Sequence, residues 1–568
     1  MKMHDISLSG YENTRLVRYQ DPIDAQPIPA IPFSKLGETD VPGVLKACYY
    51  RDGELVQQYS PQENHVGVIA ATRLGKTTSF VIPTVLSFAK KQKKRSMIIS
   101  DPKGELYRST AATLEKEGYR VLLLNFRDFH HSEYWNPLTP IYRKYQEAMD
   151  ISQKVDIVDV PNEGLRYVFE GKIYESQTEL DHDVEQYGIM LVEEVGEKID
   201  AMAQMIITTY KMDDPYWEDC ARDVLKAFIW AMLEDSRPET CLKGQTPITE
   251  ETFSFSTILS ILGHFRDKGT DGYEDYGYFS SRNEESRSYL LVKNVLLENA
   301  PNTRRCITSS FNSKIALFRD CAMRMTTRCN SFDMETALTG GPVAIFIDYR
   351  DENRAHYQVI SLFVQQAYVR LIEHAQEQKN GKLDVPFYFL LDEFGNFPAM
   401  TNFETVISAC AGRNIFFVLI IQSYAQLNAV YGQAVAEIIR DNLNVHVFFG
   451  SNNPKTLEEF STECGLHTRI SPTSALEGSG ADIEHYRMET IPLIPKSMLS
   501  HLDPGECIVT EANCGYVMWS RLERYFRCPE FKEEESKDDR EYKSEISTLD
   551  KKYEYRFQRV RTRRNPWD

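Results

Sequence analysis

HVGVIAATRLGKTTSFVIP, residues 65–83, decides how this chain is read. An apolar run from Val66 to Ala70 enters a turn that ends Gly75-Lys76-Thr77, and an apolar, helix-like segment follows. Strand, loop, Gly-Lys-Thr and helix in that order form a P-loop, which holds a nucleoside triphosphate. Loop N–H groups and the positive end of the helix face the phosphates. Lys76 is expected to reach the β- and γ-phosphates and the Thr77 hydroxyl to hold Mg²⁺, with Thr72, Arg73, Leu74, Gly75 and Thr78 completing the cradle. The cofactors expected are therefore ATP and Mg²⁺. Ala70 stands where the usual pattern has its first glycine, which is acceptable if that position needs no positive φ.

Outward from this stretch lie further short apolar runs bounded by polar turns: Met97–Ser100, Val121–Leu124, Val343–Ile347, Phe387–Leu391, Ile415–Ile421, Val445–Phe449 and Cys507–Val509. They are continuous rather than alternating, the pattern of strands buried on both faces of a parallel sheet. Helical patterns such as Tyr357–Glu373 and Phe403–Cys410 lie between them. This predicts an α/β fold with a parallel-rich sheet.

The series breaks between about 146 and 335. There DPYWEDCARDVLKAFIWAML, 214–233, puts Trp217, Ala221, Val224, Leu225, Phe228 and Ile229 on one helical stripe that reads as core. Ser288–Asn299 and Ser310–Cys321 look similar, so a mostly helical domain is expected as an insertion. The expected organisation is a lead-in over 1–60, a discontinuous nucleotide-binding domain over 61–145 and 335–525, an all-α domain over 146–334, and a charged tail over 526–568. Segment 265–287 reads as an exposed loop, and 529–553 as a solvated helix or disordered tail.

Three more segments carry chemistry. In FYFLLDEFGNFP, 387–398, a buried strand runs into Asp392 and Glu393, where carboxylates face the same crevice as the P-loop. Asp392 is expected in the Mg²⁺ shell and Glu393 as the group that activates the attacking water. The bland alternative is a helix cap or a surface pair. In NIFFVLIIQSYAQL, 414–427, a second buried strand ends in Gln422. Its amide can donate to a phosphate oxygen and accept from a water, which suits a γ-phosphate sensor; capping of the next helix is the alternative. In IISDPKGELY, 98–107, Asp101 and Lys103 follow a strand, and Pro102 and Gly104 set a turn. No catalytic role for Asp101 or Lys103 follows from the residues.

At 568 residues, two or more domains are expected. The apolar content of 42% and charged content of 26% are those of a soluble globular protein. The longest apolar run near any motif, Ile415–Ile421, is seven residues. A membrane span needs about 20. The start, MKMHDISLSGYENTR, has no apolar core and is not a signal peptide. Eleven scattered cysteines without a C-x-x-C pair point to reduced thiols and a cytoplasmic setting rather than a disulfide frame or zinc site. A net charge of −18 argues against a surface that binds nucleic acid everywhere, though it leaves room for a local basic channel. Basic clusters at Lys90–Arg95 (KKQKKR) and in RFQRVRTRRNPW read most simply as a solvated face and a flexible tail.

Taken together, VIAATRLGKTTSFVIPTVL, SDPKGELY, the region around DPYW, FLLDEFGNFP, GRNIFFVLIIQSYAQLNAVYG and VFFGSNNPKTLEEF resemble the type IV coupling proteins, the DNA-translocating ATPases of conjugation and type IV secretion. The resemblance spans roughly 65–465 and is weaker in the helical region. Ala70 is similar to what many members carry; Arg73 and Leu74 replace commoner small residues. The resemblance implies a RecA-like core that assembles as a hexamer, with a monomer in solution as an alternative. It carries Lys76 and Thr77 to Walker A, Asp392 and Glu393 to Walker B, and Gln422 to the sensor. It matches Arg413 to the arginine that reaches a neighbour's nucleotide, where a cation stabilises transition-state charge; a surface ion pair is the neutral alternative. The implied partners are single-stranded DNA, a relaxase and accessory DNA-processing proteins. Family members usually carry N-terminal transmembrane helices. The expectation here is peripheral recruitment to the cytoplasmic face of the cell membrane by a separate membrane protein of the channel, through residues 1–60 or the tail. Two other readings compete: a nucleotide-switched substrate receptor with little ATPase activity, and a DNA translocase or helicase of another RecA-like branch.

Overall fold

A strand buried on both faces must be apolar along its whole length, and the continuous runs fold that way. The computed structural model of the chain describes residues 14–19, 21, 28–160, 164–207, 215–264, 277–473 and 485–531. Among these the strands are β1 (Arg15–Arg18), β2 (Ile31–Pro32), β3 (Leu45–Arg51), β4 (Glu54–Tyr59), β5 (Val66–Ala70), β6 (Ser96–Asp101), β7 (Arg120–Asn125), β8 (Asp156–Val160), β9 (Gly164–Phe169) and β10 (Lys172–Tyr174). They continue with β11 (Val343–Asp348), β12 (Phe387–Leu391), β13 (Ile415–Ile421), β14 (Val445–Gly450), β15 (Leu466–Thr473), β16 (His485–Pro492), β17 (Glu506–Glu511) and β18 (Tyr516–Arg521).

The main sheet runs β1-β18-β17-β14-β5-β13-β12-β6-β11-β7. From β14 to β11 the pairings are parallel; β17 joins β14 antiparallel, β18 joins β17 antiparallel, and β1 lies parallel to β18. This is the α/β, parallel-rich architecture expected. Every residue of β5, β6, β11, β12, β13 and β14 is buried. Helices Ile82–Lys90, Glu105–Lys116, Arg354–Glu377 and Phe403–Cys410 connect them. A parallel sheet aligns strand ends, so the segments after β5, β6, β12 and β13 all emerge at one edge.

The chain forms two compact units. One contains the described residues up to Leu123 and from Glu335 onward; the other runs from Leu124 to Met334. In the first unit β2, β4 and β3 form a separate antiparallel sheet. The core reaches past residue 525, to Cys528 and Phe531.

The second unit is mostly helical, with long helices at Gln177–Ile206 and Tyr216–Glu234. Three expectations need correction there. The antiparallel sheet β10-β9-β8 stands where only helices were expected. Ile157, Val158 and Ile173 in it are exposed, so no regular alternation marked the strands. Trp217, assigned to the core stripe, is exposed, while Ala221, Val224, Leu225, Phe228 and Ile229 are buried. Tyr278 and Phe279, expected in an exposed loop, lie in the short helix Gly277–Ser280 and are buried. The reason is a polar anchor. Asp235 Oδ2 accepts from Tyr278 Oη at 2.8 Å and from Arg282 Nη2 at 2.6 Å. The rest of the expected loop, 265–276, lies outside the described residues.

The cluster Lys90–Arg95 is not a solvated face. Lys91 is fully buried and donates to Gly43 O at 2.7 Å, its Nζ 3.9 Å from the Tyr59 ring centroid. Arg95 is buried against Glu63, at 2.6 Å. Lys90 and Lys94 both pair with Glu117, at 3.0 and 3.1 Å. The cluster is internal fastening of the P-loop helix. The expected tail beyond Phe531 and the arginine cluster in it lie outside the described residues.

Candidate nucleotide site

The loop begins where β5 ends. Ala71 N donates to Gly450 O, at 2.9 Å, which ties the loop entry to the end of β14. Ala70 is the last residue of β5 and has no positive φ. The left-handed residues of the loop are instead Arg73 (φ 69°) and Gly75 (φ 89°). The missing first glycine therefore costs no strain. Thr72, Arg73 and Leu74 are exposed; Gly75, Lys76, Thr77 and Thr78 are half-buried. A wide π turn, Lys76–Val81, precedes the regular helix, and Ser79 N closes onto Gly75 O at 2.7 Å.

Strand order decides what faces this loop. β13 lies between β5 and β12, so Gln422, which follows β13, falls between the loop and the acids that follow β12. Lys76 Nζ lies 2.7 Å from Asp392 Oδ1 and 2.5 Å from Glu393 Oε1. Gln422 Nε2 donates to Glu393 Oε2 at 3.0 Å. Burial works against the Lys76 charge, but Asp392 and Glu393 outweigh it and hold Lys76 above the usual lysine range. Asp392 is 3% exposed, and a carboxylate so placed needs a cation beside it. Glu393 adopts φ 55°, a strained value for a side chain of this kind and one common at functional sites. Its backbone N bonds Asp392 Oδ1 at 2.9 Å.

Residues not singled out in the sequence support this arrangement. Ser100 Oγ donates to Asp392 O at 3.1 Å, and Gln422 N donates to Gln426 Oε1 at 2.9 Å. Gly395 admits Gln426: a Cβ there would lie 2.7 Å from Gln426 Oε1. Spacing held a signal for Gln426, four residues past Gln422 on the following helix. Gln422 does not cap that helix, Tyr424–Tyr431, whose N-cap is Ser423.

The group fits a magnesium nucleotide. The Thr77 hydroxyl has no hydrogen bond among the described residues, and Asp392 already holds a cation, the Lys76 ammonium. Among the described residues no cluster of three or more His, Cys, Asp or Glu side chains could hold a metal alone. Mg²⁺ bound through one or two protein oxygens plus phosphates needs none.

One sequence candidate lies elsewhere. Arg413 ends the turn Ala411–Arg413 just before β13, at the sheet edge away from the P-loop, and Nη1 donates to Ala409 O at 2.9 Å. A strand of this length spans about 20 Å, so Arg413 is outside this chain's own site. Asp101 ends β6 in register with Asp348 of β11 and accepts from Tyr107 N at 2.9 Å. Burial, aided by the Asp348 charge, pushes its carboxyl up to about 7. The Lys103 carbonyl accepts from Arg108 Nη2 at 2.9 Å while its side chain is exposed.

The chain as a whole is similar to known proteins. The family described as type IV secretory system conjugative DNA transfer matches residues 33–547. The chain belongs to that family. It is similar to curated relatives and to solved coupling proteins as well. Protein VirD4 of Rhizobium rhizogenes is 24% identical over 412 residues, covering 72% of this chain and 50% of VirD4. The conjugal transfer protein TraG of Escherichia coli is 22% identical over 442 residues, 75% of this chain and 59% of TraG. The chain thus spans about half the length of the curated relatives it matches. The solved plasmid coupling protein TrwB in complex with ADP and Mg²⁺ superposes with a TM-score of 0.53 at 16% identity, over 90% of this chain and 99% of that one. At that identity the likeness concerns the fold alone, a RecA-like fold with a helical domain. No helix among the described residues is long and apolar enough to cross a membrane.

Proposed function

We propose that this coupling protein is a Mg²⁺-dependent ATPase motor that recruits a relaxase with its single-stranded DNA and drives them to a type IV secretion channel during conjugation. The observation that carries the reading is the convergence of Lys76, Asp392, Glu393 and Gln422 from three distant segments into one hydrogen-bonded cluster. Nucleotide binding replaces the internal ion pairs: Lys76 leaves the carboxylates for the β- and γ-phosphates, and Thr77 and Asp392 hold Mg²⁺. Bound Mg²⁺ neutralises charge on the phosphoryl oxygens. Glu393, released from Lys76, accepts a proton from the attacking water, and the water oxygen bonds to the γ-phosphorus as the bond to the leaving ADP oxygen breaks. Gln422, already on Glu393, orients that water and registers the γ-phosphate. Thr72, Arg73, Leu74, Gly75 and Thr78 complete the cradle.

Arg413, remote from its own site, reaches the nucleotide of the next subunit in a homo-hexamer. A separate channel protein holds the assembly at the cytoplasmic face of the membrane. Support for the DNA substrate comes from the family, and support for the magnesium nucleotide from TrwB, one solved form of which holds ADP and Mg²⁺. The test is phosphate release with and without single-stranded DNA, alongside mass in solution. Lys76→Ala and Glu393→Gln should abolish hydrolysis, and Glu393→Gln should retain ATP. Undiminished turnover in both variants sinks the assignment. No DNA-stimulated turnover in the parent chain would favour the receptor reading.

A further inference from the structure

The segment after β18 returns to the P-loop. Leu522 N donates to Gly505 O at 2.8 Å and Glu523 N to Cys48 O at 2.8 Å. Cys528, buried, bonds back to Arg524 O through Sγ at 3.7 Å, and Tyr525 Oη lies 3.3 Å from Ser109 Oγ. Arg524 is thus presented from backbone fixed on both sides. The arginine three residues earlier, Arg521, is neutralised by Glu523 at 2.5 Å. Arg524 is not: among the described residues its guanidinium makes no ion pair or side-chain hydrogen bond, and its closest aromatic neighbour is Phe526, 6.0 Å from ring centroid to Cζ.

Where that guanidinium lies is the informative point. A carbon placed on Gly75 as a Cβ would sit 3.4 Å from Ser79 Oγ, 3.5 Å from Thr78 Oγ1 and 3.8 Å from Arg524 Nε. Three polar groups therefore surround one face of the P-loop glycine. Ser79 is 1% exposed, and among the described residues its Oγ has no hydrogen-bond partner. A cation beside the positive end of a helix is unfavourable unless an anion lies between them. Among the described residues no acid fills that role, whereas Lys76 on the same loop has two.

We infer that Arg524 is a nucleotide-binding residue supplied by the chain's own C-terminal segment, and that it contacts the α-phosphate. Lys76 and the acids take the β/γ end; Arg524 pairs with neither acid and groups with Thr78 and Ser79, further along the helix. Such a contact is made equally to ATP and ADP. It belongs to binding rather than to the chemical step.

The inference rests on the nucleotide reading above, and one experiment separates their failures. Dissociation constants for ADP and for a non-hydrolysable ATP analogue, both with Mg²⁺, are measured on the full chain and on Arg524→Ala and Arg524→Lys. The expected result is a loss of about ten- to hundredfold for Arg524→Ala, the same for both nucleotides. Arg524→Lys should lose less, with a melting temperature equal to the parent's. Unchanged constants in the Arg524 variants, with the parent chain binding normally, overturn this inference alone. A loss confined to the ATP analogue also overturns it, since that would put the guanidinium at the γ-phosphate. A parent chain that binds neither nucleotide overturns the nucleotide reading itself.

Discussion

Two lysines bracket one stretch of helix and live by different rules. Lys76, at its start, is held by two carboxylates, Asp392 and Glu393. Lys91, at its end, is held by the carbonyls of Gly43 and Pro42 and by the face of Tyr59. Charged partners can be exchanged for another anion, because a phosphate offers the ammonium what a carboxylate does. Neutral partners enclosed in the core cannot. Burial pushes the Lys91 ammonium well below the usual lysine range, whereas the acids hold Lys76 above it. The cation proposed to bind phosphate thus has replaceable counter-charges, and the structural one fixed neutral acceptors.

The comparison breaks most visibly in turnover. Lys76→Ala should lower ATP hydrolysis about a thousandfold, while Lys91→Ala, in phosphate-release assays at equal folded concentration, should leave it nearly unchanged. A deep loss in both would mean that the two ends of the helix are not independent. Next in size is stability. Lys91→Ala truncates a fully buried stem and strands two carbonyls, which should cost about 3 kcal/mol in denaturant unfolding.

Asp101 sharpens the contrast, since among the described residues it has neither an exchangeable cation nor a full set of donors: its Oδ1 is buried without a partner. Its folded carboxyl titrates at about 7, above the unfolded range. Between about pH 4 and pH 7 the folded state then binds more protons than the unfolded one, so stability falls as pH rises. Asp101→Asn should flatten that slope by roughly 2 kcal/mol between pH 5 and pH 8, read from melting curves at both values. An unchanged slope would show that Asp101 does not titrate there. The smallest effect concerns competition inside the site. Glu393→Gln removes one of the two charges that hold Lys76, so a non-hydrolysable ATP analogue should bind about fivefold tighter. Equal or weaker binding, by calorimetry, would show that the internal ion pair does not oppose the nucleotide.

The legible parts of the molecule were those with local signatures. Continuous apolar runs marked β5, β6, β11, β12, β13 and β14 because burial on both faces leaves no room for alternation. Gly75-Lys76-Thr77, Asp392-Glu393 and Gln422 each stood at the end of such a run. The failures were places where a distant partner reverses the local reading. KKQKKR looked solvated because lysine usually is, yet Gly43, Glu63 and Tyr59 give Lys91 and Arg95 internal partners. Tyr278 and Phe279 looked like loop residues until Asp235 and Arg282 anchored them.

By itself, the order of residues determined the strand–loop–helix unit, the parallel-rich α/β class and the acids that a triphosphate site needs, since each follows from periodicity and charge within a dozen positions. Only the tertiary structure decided that β13 separates β5 from β12 and so sets Gln422 between loop and acids. It alone also placed Arg413 at the far edge of the sheet and brought Arg524 to Gly75. Those outcomes depend on pairing between strands far apart along the chain, and no short-range pattern encodes which strands become neighbours.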